Sequence, residues 1–318
     1  MKSIVLIFMF IVSLYASTAP TEKEVLLNAK NVSEKGWETA KKPLKDFVKK
    51  DGQKFIAVFL KTAKHPMLLP KTEEQRPKIL LSKNDYYYAL SYLKYLENKH
   101  QTKKALNIYF TMLNGLKEVD KKEYGVLGSI YRVVVEKQIV ASLKDSIKKN
   151  IYAKNEKKKL KSFLKTHLIL NKNLLSKSLE ADRVILTNLC ITNLQSADFS
   201  DKSLKEFNFL FSTKFHKDIY KDICSDYGKK LENHYMKLLK ITNKTELKTL
   251  KEETNNAKAL FYEDLKHKKE LKNLKKTPKD FVDAVSGILF YSSYFNAGVL
   301  QLDILKSVKE NNKLLSSF

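Results

Sequence analysis

The scarcity of glycine and proline is the feature that most limits how this chain can fold. Only eight glycines and six prolines occur among its 318 residues. Sheet proteins need many tight turns, and tight turns draw on these two residue types. A long chain with so few of them is built most economically from helices that are joined by short polar loops. We therefore predict an all-α fold of antiparallel helical hairpins, packed either as a bundle or as a short irregular solenoid.

The spacing of apolar residues supports the helical prediction. Leu160, Phe163, Leu164 and Leu168 recur at helical intervals, while lysines occupy the other face of the same segment. Strands are not needed anywhere in the chain. The predicted helices cover residues 86–97, 104–116, 124–150, 156–177, 179–195, 231–241, 244–274 and 278–310, and one more runs through residues 207–211.

Residues 1–19 have the three-part pattern of a secretory signal peptide. Lys2 precedes an uncharged apolar run from Ile4 to Tyr15, and small residues follow that run. The run has 12 residues, whereas a membrane-spanning helix needs about 20, so we expect cleavage and no transmembrane segment afterwards. The alternative is an uncleaved N-terminal anchor. The mature chain is expected to be exported, and periplasmic if the host is a Gram-negative bacterium. We predict one all-helical domain over residues 20–318, with 196–203 as the candidate point of sub-division.

Arginine draws attention because the chain contains 57 lysines and only three arginines. Arg132 lies four residues before Glu136 in an otherwise apolar segment, and Glu180 and Arg183 begin a second such segment. A guanidinium grips a carboxylate with two hydrogen bonds, which lysine cannot do. Because an unpaired buried charge costs several kcal/mol, we predict that these four residues form one polar cluster where the two helices cross. We interpret the cluster as structural, with a ligand pocket or an enzyme site as the alternative.

The two cysteines, Cys190 and Cys224, allow two interpretations. In an exported protein they can form a disulfide, worth about 3–4 kcal/mol for a loop of this length. Both also lie in apolar helical segments, where buried free thiols are common. We favour the disulfide. The six histidines are scattered along the chain and no metal-binding motif occurs, so neither a metal nor another cofactor is predicted.

Tyrosines are concentrated at the start of the first predicted hairpin. Tyr86, Tyr87, Tyr88, Tyr92 and Tyr109 are candidates for the lining of an exposed groove, in which Tyr88, Tyr92 and Tyr109 are the main candidates. The alternative role for these side chains is core packing, because tyrosine buries well when its hydroxyl finds a polar partner.

The first predicted hairpin resembles one tetratricopeptide unit, a repeat of about 34 residues. The residues near the packing positions of such a unit are Ala89, Leu93, Leu96, Ala105, Tyr109 and Met112. A second copy is not found, and any closely packed helical hairpin gives a similar pattern.

On a wider scale, residues 80–200 resemble a loose group of exported all-helical bacterial proteins of uncharacterised function. The resemblance rests on GSIYRVVVEKQIVASLKDSI, on LKSFLKTHLILNKNLLSKSLEADRVILTNL and on the last predicted helix, SSYFNAGVLQLDILKSVKEN. It implies the helical fold and supplies no catalytic activity.

Positive charge is the strongest compositional signal. The formal net charge is +25, and residues 144–177 hold eleven lysines against Asp145 and Glu156. A lysine-rich proteome explains this composition in the simplest way, and attraction to anionic lipid headgroups or envelope polymers is the sharper explanation. Nucleic acid is not an expected partner, because its specific readers usually combine arginine with stacking aromatic residues.

These observations lead to one functional hypothesis and one alternative. The hypothesis is an exported, non-catalytic scaffold or binding module of the cell envelope, whose partner is an unknown protein or an anionic surface. The alternative is an enzyme of unrecognised type with its site at Arg132, Glu136, Glu180 and Arg183.

Overall fold

A computed structural model of the protein describes residues 20–68, 78–121, 124–196, 217–270, 278–293 and 298–318. The predicted signal peptide therefore lies outside the described residues, as do most of the segment 196–203 and the predicted helix through residues 207–211. Contacts group the chain into a larger unit, Ser17–Ser178 with Asp303–Phe318, and a smaller unit, Leu179–Leu302. This division falls at residues 178 and 302.

Helices make up most of the larger unit, as predicted. They are α1 (Pro20–Lys35), α2 (Lys42–Lys50), α3 (Gly52–Thr62), α4 (Lys83–Asn98), α5 (Thr102–Lys121), α6 (Gly125–Lys148) and α7 (Lys154–His167). A 3₁₀ turn, Trp37–Thr39, follows α1. The expectation of no strands was wrong in one place, because β1 (Met67–Leu68) pairs antiparallel with β2 (Lys78–Ile79). Two residues per strand leave the all-α class unchanged.

Five further helices complete the described part of the chain. They are α8 (Asn173–Ser196), α9 (Lys217–Leu239), α10 (Lys244–Glu270), α11 (Pro278–Ser293) and α12 (Gly298–Ser316). The boundary between the two units falls inside α8 and again inside α12. Among the residues described, none of the helices combines the length and the apolar character that a bilayer span requires.

One predicted helix, 156–177, is in fact two helices with a break between them. Helix α7 ends at His167, and the next residue, Leu168, is extended with φ −84° and ψ 155°. Helix α8 begins at Asn173, whose N–H donates to Oδ1 of Asn171 at 3.0 Å. Side-chain contacts of this kind favour turns over continued helix. The prediction of a continuous helix was wrong because apolar periodicity runs through the break.

Two residues with positive φ end the long helices of the larger unit. His100 has φ 57° after α4, and Asn150 has φ 53° after α6. In each case the next N–H bonds back to a carbonyl five residues earlier, from Gln101 to Leu96 and from Ile151 to Ser146. This is the Schellman arrangement, which closes a helix and reverses the chain. It allows α4 and α5 to form the predicted hairpin.

The core of the larger unit lies between helices that contact not only their neighbours along the chain but also helices further away in sequence. Helix α4 contacts both α5 and α6, and α1 contacts α4 and α6. In a solenoid each element would contact only its neighbours along the stack, so this unit is a bundle. The six residues of the tetratricopeptide-like pattern are all buried in its core.

Candidate functional site

Arg132 and Glu136 form the buried ion pair that the sequence predicted for them. Both are 1% exposed, and Nη2 of Arg132 lies 2.8 Å from Oε2 of Glu136 on the adjacent turn of α6. The same nitrogen donates to the backbone carbonyl of His167. On the other side, Nε of Arg132 lies 3.2 Å from Oδ1 of Asp120. Nη1 is buried without a hydrogen bond to any described residue.

The Glu136 carboxylate accepts from two further groups. The N–H of Ile169 lies 3.1 Å from Oε1 and 3.2 Å from Oε2, and Nδ2 of Asn311 lies 2.6 Å from Oε1. Nδ2 of Asn311 also donates to the carbonyl of Ile169 at 2.9 Å. Burial raises the pKa of Glu136, while the Arg132 charge and the hydrogen bonds from Ile169 and Asn311 act in the opposite direction.

The Arg132–Glu136 pair therefore holds the break between α7 and α8. A chain break leaves backbone groups that no helix satisfies, and such groups must find partners when they are buried. The carbonyl of His167 and both backbone groups of Ile169 find theirs in Arg132, Glu136 and Asn311. All these contacts lie inside the bundle, so the chemistry of the pair is structural.

Glu180 and Arg183 do not share this buried environment, and the prediction of one cluster of four residues was wrong for them. Arg183 donates to Glu180 through Nε at 3.0 Å and through Nη2 at 2.6 Å. The side chain of Arg183 is 31% exposed, and that of Glu180 is 60% exposed. They lie three residues apart on one helix and satisfy each other locally, so neither needs a distant partner.

A second buried ionic network was missed by the sequence analysis. Lys94 of α4 is only 2% exposed. Its Nζ lies 2.9 Å from Asp145 Oδ2, 3.2 Å from Glu97 Oε2, and 2.6 Å from the hydroxyl of Ser146, and it donates to the carbonyl of Ser142 at 2.8 Å. One lysine among 57 gives no signal of this kind in a sequence.

Two tyrosines complete the network. Tyr109 of α5, which is fully buried, bonds to the hydroxyl of Ser142 at 2.7 Å, and Tyr152 donates to Oε1 of Glu97. Burial raises the pKa of both phenols, so both stay protonated at neutral pH. The network thus joins α4, α5 and α6 through groups that partner one another.

The expected aromatic groove is not formed by these tyrosines. Tyr86, Tyr87 and Tyr109 are buried in hydrophobic clusters, and Tyr88 and Tyr92 are half-buried against such clusters. The prediction that Tyr109 lines an exposed groove was therefore wrong, and the alternative of core packing applies. The physical reason is that its hydroxyl finds polar partners inside the bundle and does not need water.

Cys190 and Cys224 are joined in the smaller unit by a disulfide, with 2.07 Å between the sulfurs. The two residues are 4% and 1% exposed. The bridge links α8 to α9 across a sequence separation of 34 residues. Within the described part of the chain, no group of three or more potential ligands could hold a metal ion.

Lysine side chains line one face of α7 in the larger unit. The buried face of this helix carries Leu160 and Leu164, both fully buried. An outer face carries Lys154, Lys157, Lys158 and Lys161, which with Phe318 line an open groove of about 760 Å³. We call this feature the α7 groove.

The only carboxylate of α7 is turned away from these lysines. Glu156 accepts from the N–H of Ala153 at 3.0 Å and from the hydroxyl of Thr102 at 2.8 Å. Lys157 has a neutral partner, Oδ1 of Asn150, at 2.7 Å. Among the residues that the structure describes, no carboxylate forms an ion pair with the four groove lysines.

In comparisons with protein-family models, curated proteins and solved structures, nothing matches this chain.

Proposed function

We propose that this protein is an exported, non-catalytic binding module of the cell envelope that docks on an anionic surface through its lysines. The pattern of residues 1–19 supports export. The net charge of +25 supports an anionic partner, because a strongly basic surface attracts anions and speeds their association.

The observation that carries the proposal is the α7 groove. Here four lysines share one face of one helix, and the single carboxylate of that helix is engaged elsewhere. The approach of an anion stabilises such a surface electrostatically, and this stabilisation weakens as salt is added.

The enzyme alternative loses its basis at the Arg132 cluster. The side chains of Arg132 and Glu136 hydrogen-bond to backbone groups of the α7–α8 break. Glu180 and Arg183 form an exposed local ion pair, and such pairs are common on protein surfaces. We therefore favour binding over catalysis.

The experiment compares envelope association of the mature chain, residues 20–318, at several salt concentrations. Purified protein is incubated with washed native envelope material, and the bound fraction is measured near physiological ionic strength and again at about 1 M salt, where the Debye length falls to about 3 Å. We expect retention at the lower ionic strength and release at the higher one. Absence of retention at the lower ionic strength would overturn the proposal.

A further inference from the structure

The lysines of the α7 groove are arranged as a line. Lys154, Lys157, Lys158 and Lys161 follow intervals of three and four residues, which place side chains on one face of a helix. The helical rise makes this line about 10 Å long. Lys165, which is exposed, continues the same interval by a further turn.

This arrangement is unfavourable for α7 itself. Like charges at intervals of three and four residues repel one another. Positive charge in the first turn of a helix also opposes the helix dipole, yet Lys154 is the first residue of α7 and Lys157 is the fourth. A chain that breaks local rules of stability at one place is commonly serving a function there. An anion in the groove would remove both penalties.

The shape of the groove favours a long ligand over a single ion. A small anion needs donors that converge on one point, whereas these four side chains are distributed along the helix axis. A flat bilayer fits a convex or planar basic surface better than it fits a recess, and this recess is also lined by Phe318. A chain of repeated anionic groups can follow the line and fill the recess.

Lysine binds a phosphate group as a point charge and needs no fixed planar geometry, so a row of lysines can contact successive phosphates. Readers of single-stranded nucleic acid stack successive bases on aromatic side chains, and the groove offers one aromatic residue, Phe318. Phosphate groups without bases therefore fit better.

We propose that the α7 groove binds a linear phosphate-bearing polymer, and that Lys154, Lys157, Lys158 and Lys161 contact its successive phosphates. This inference rests on the proposed function, because it names the ligand and the site for docking on an anionic envelope surface.

The test compares two variants that carry the same loss of charge. The groove variant is Lys154→Gln, Lys157→Gln, Lys158→Gln and Lys161→Gln. The control variant is Lys42→Gln, Lys45→Gln, Lys49→Gln and Lys54→Gln, at exposed positions on α2 and α3. Far-UV circular dichroism checks that both variants are folded. Binding is measured with inorganic polyphosphate, with inorganic phosphate, with single-stranded homopolymeric nucleic acid and with anionic phospholipid vesicles.

We expect polyphosphate to bind the native protein and the control variant with similar affinity, and the groove variant at least about tenfold more weakly. The salt dependence of binding should also flatten, by up to about 0.7 logarithmic unit for each lost phosphate contact. An equal loss in both variants would mean non-specific attraction and would overturn the inference while leaving salt-dependent envelope docking intact. Tighter binding of vesicles, of inorganic phosphate or of nucleic acid at the groove would overturn it as well, in favour of that ligand.

Discussion

Replacing Glu136 by glutamine should destabilise the larger unit strongly, although the side chain hardly changes its shape. The carboxylate accepts from the guanidinium of Arg132, the N–H of Ile169 and the amide of Asn311. A glutamine side chain has a single oxygen acceptor, and its other terminal atom is an NH₂ donor. In Glu136→Gln this donor must face at least one of the three donors, so buried polar groups lose their partners.

The magnitude follows from burial. Glu136 and Arg132 are each 1% exposed, and breaking such a pair by removing one charge costs about 3–5 kcal/mol. The lost hydrogen bonds share the same carboxylate, so their costs do not simply add. Burial also raises the pKa of Glu136, which means that ionising this carboxyl is already unfavourable and that glutamine avoids this penalty. We therefore expect the lower end, about 3 kcal/mol.

The assay is urea denaturation followed by tryptophan fluorescence. The single tryptophan, Trp37, belongs to the larger unit, where its ring centroid lies 5.1 Å from that of Tyr95. The matched control is Asp303→Asn, which breaks an ion pair with Lys137 whose side chains are 37% and 43% exposed. Surface pairs contribute up to about 1 kcal/mol. A free energy of unfolding for Glu136→Gln within about 1 kcal/mol of that control would refute the structural role of the site.

Three other measurements test separate parts of the structure. Burial lowers the pKa of His234 from 6.5 to about 4. As pH falls from 6.5 towards 4, the unfolded chain therefore takes up a proton at this residue before the folded protein does, and the free energy of unfolding decreases. Urea titrations over this pH range should show that loss of stability, and a smaller loss in His234→Phe. Gly115→Ala should destabilise the larger unit by about 2–3 kcal/mol in urea denaturation followed by tryptophan fluorescence, since the added Cβ would lie 1.7 Å from a backbone carbonyl oxygen. Gly228→Ala changes the smaller unit, where the added Cβ would lie 3.1 Å from a side-chain hydroxyl, and it should be nearly neutral when urea denaturation is followed by circular dichroism. Equal losses of stability in the two variants would contradict this reasoning. Reducing the bridge of Cys190 and Cys224 should lower the stability of the smaller unit by about 3–4 kcal/mol in thermal melts followed by circular dichroism, and an unchanged melt of the fully reduced protein would contradict it.

Local pattern predicted three helices of the larger unit, gave no prediction for α1, α2 and α3, and failed at the α7–α8 break, where distant residues decide the outcome. Helices α4, α5 and α6 follow from their apolar spacing. The break after His167 does not, because the residues that stabilise it, Glu136 and Asn311, lie 33 and 142 residues from Ile169 along the chain. A prediction from a local stretch of sequence does not include such distant contacts, so it continues the helix through the break.

The same reason explains the mixed result for the polar residues. Arg132 and Glu136 could be paired from the sequence because they lie one helical turn apart. Lys94 could not be recognised as buried, since its partner Asp145 is 51 residues away and lysine is the commonest charged residue of this chain. The boundary at residue 178 was equally hidden, because it falls inside α8, where neither composition nor a loop marks it.

The most direct measurement of the central claim is lysine footprinting of residues 20–318. The protein is labelled with an amine-reactive reagent, with and without inorganic polyphosphate, and the modified lysines are quantified by mass spectrometry. The account predicts that the polymer protects Lys154, Lys157, Lys158 and Lys161, while the exposed lysines of α2 react as before. Equal protection of both sets, or bound polymer that leaves the α7 groove fully reactive, would contradict the assignment of the ligand site.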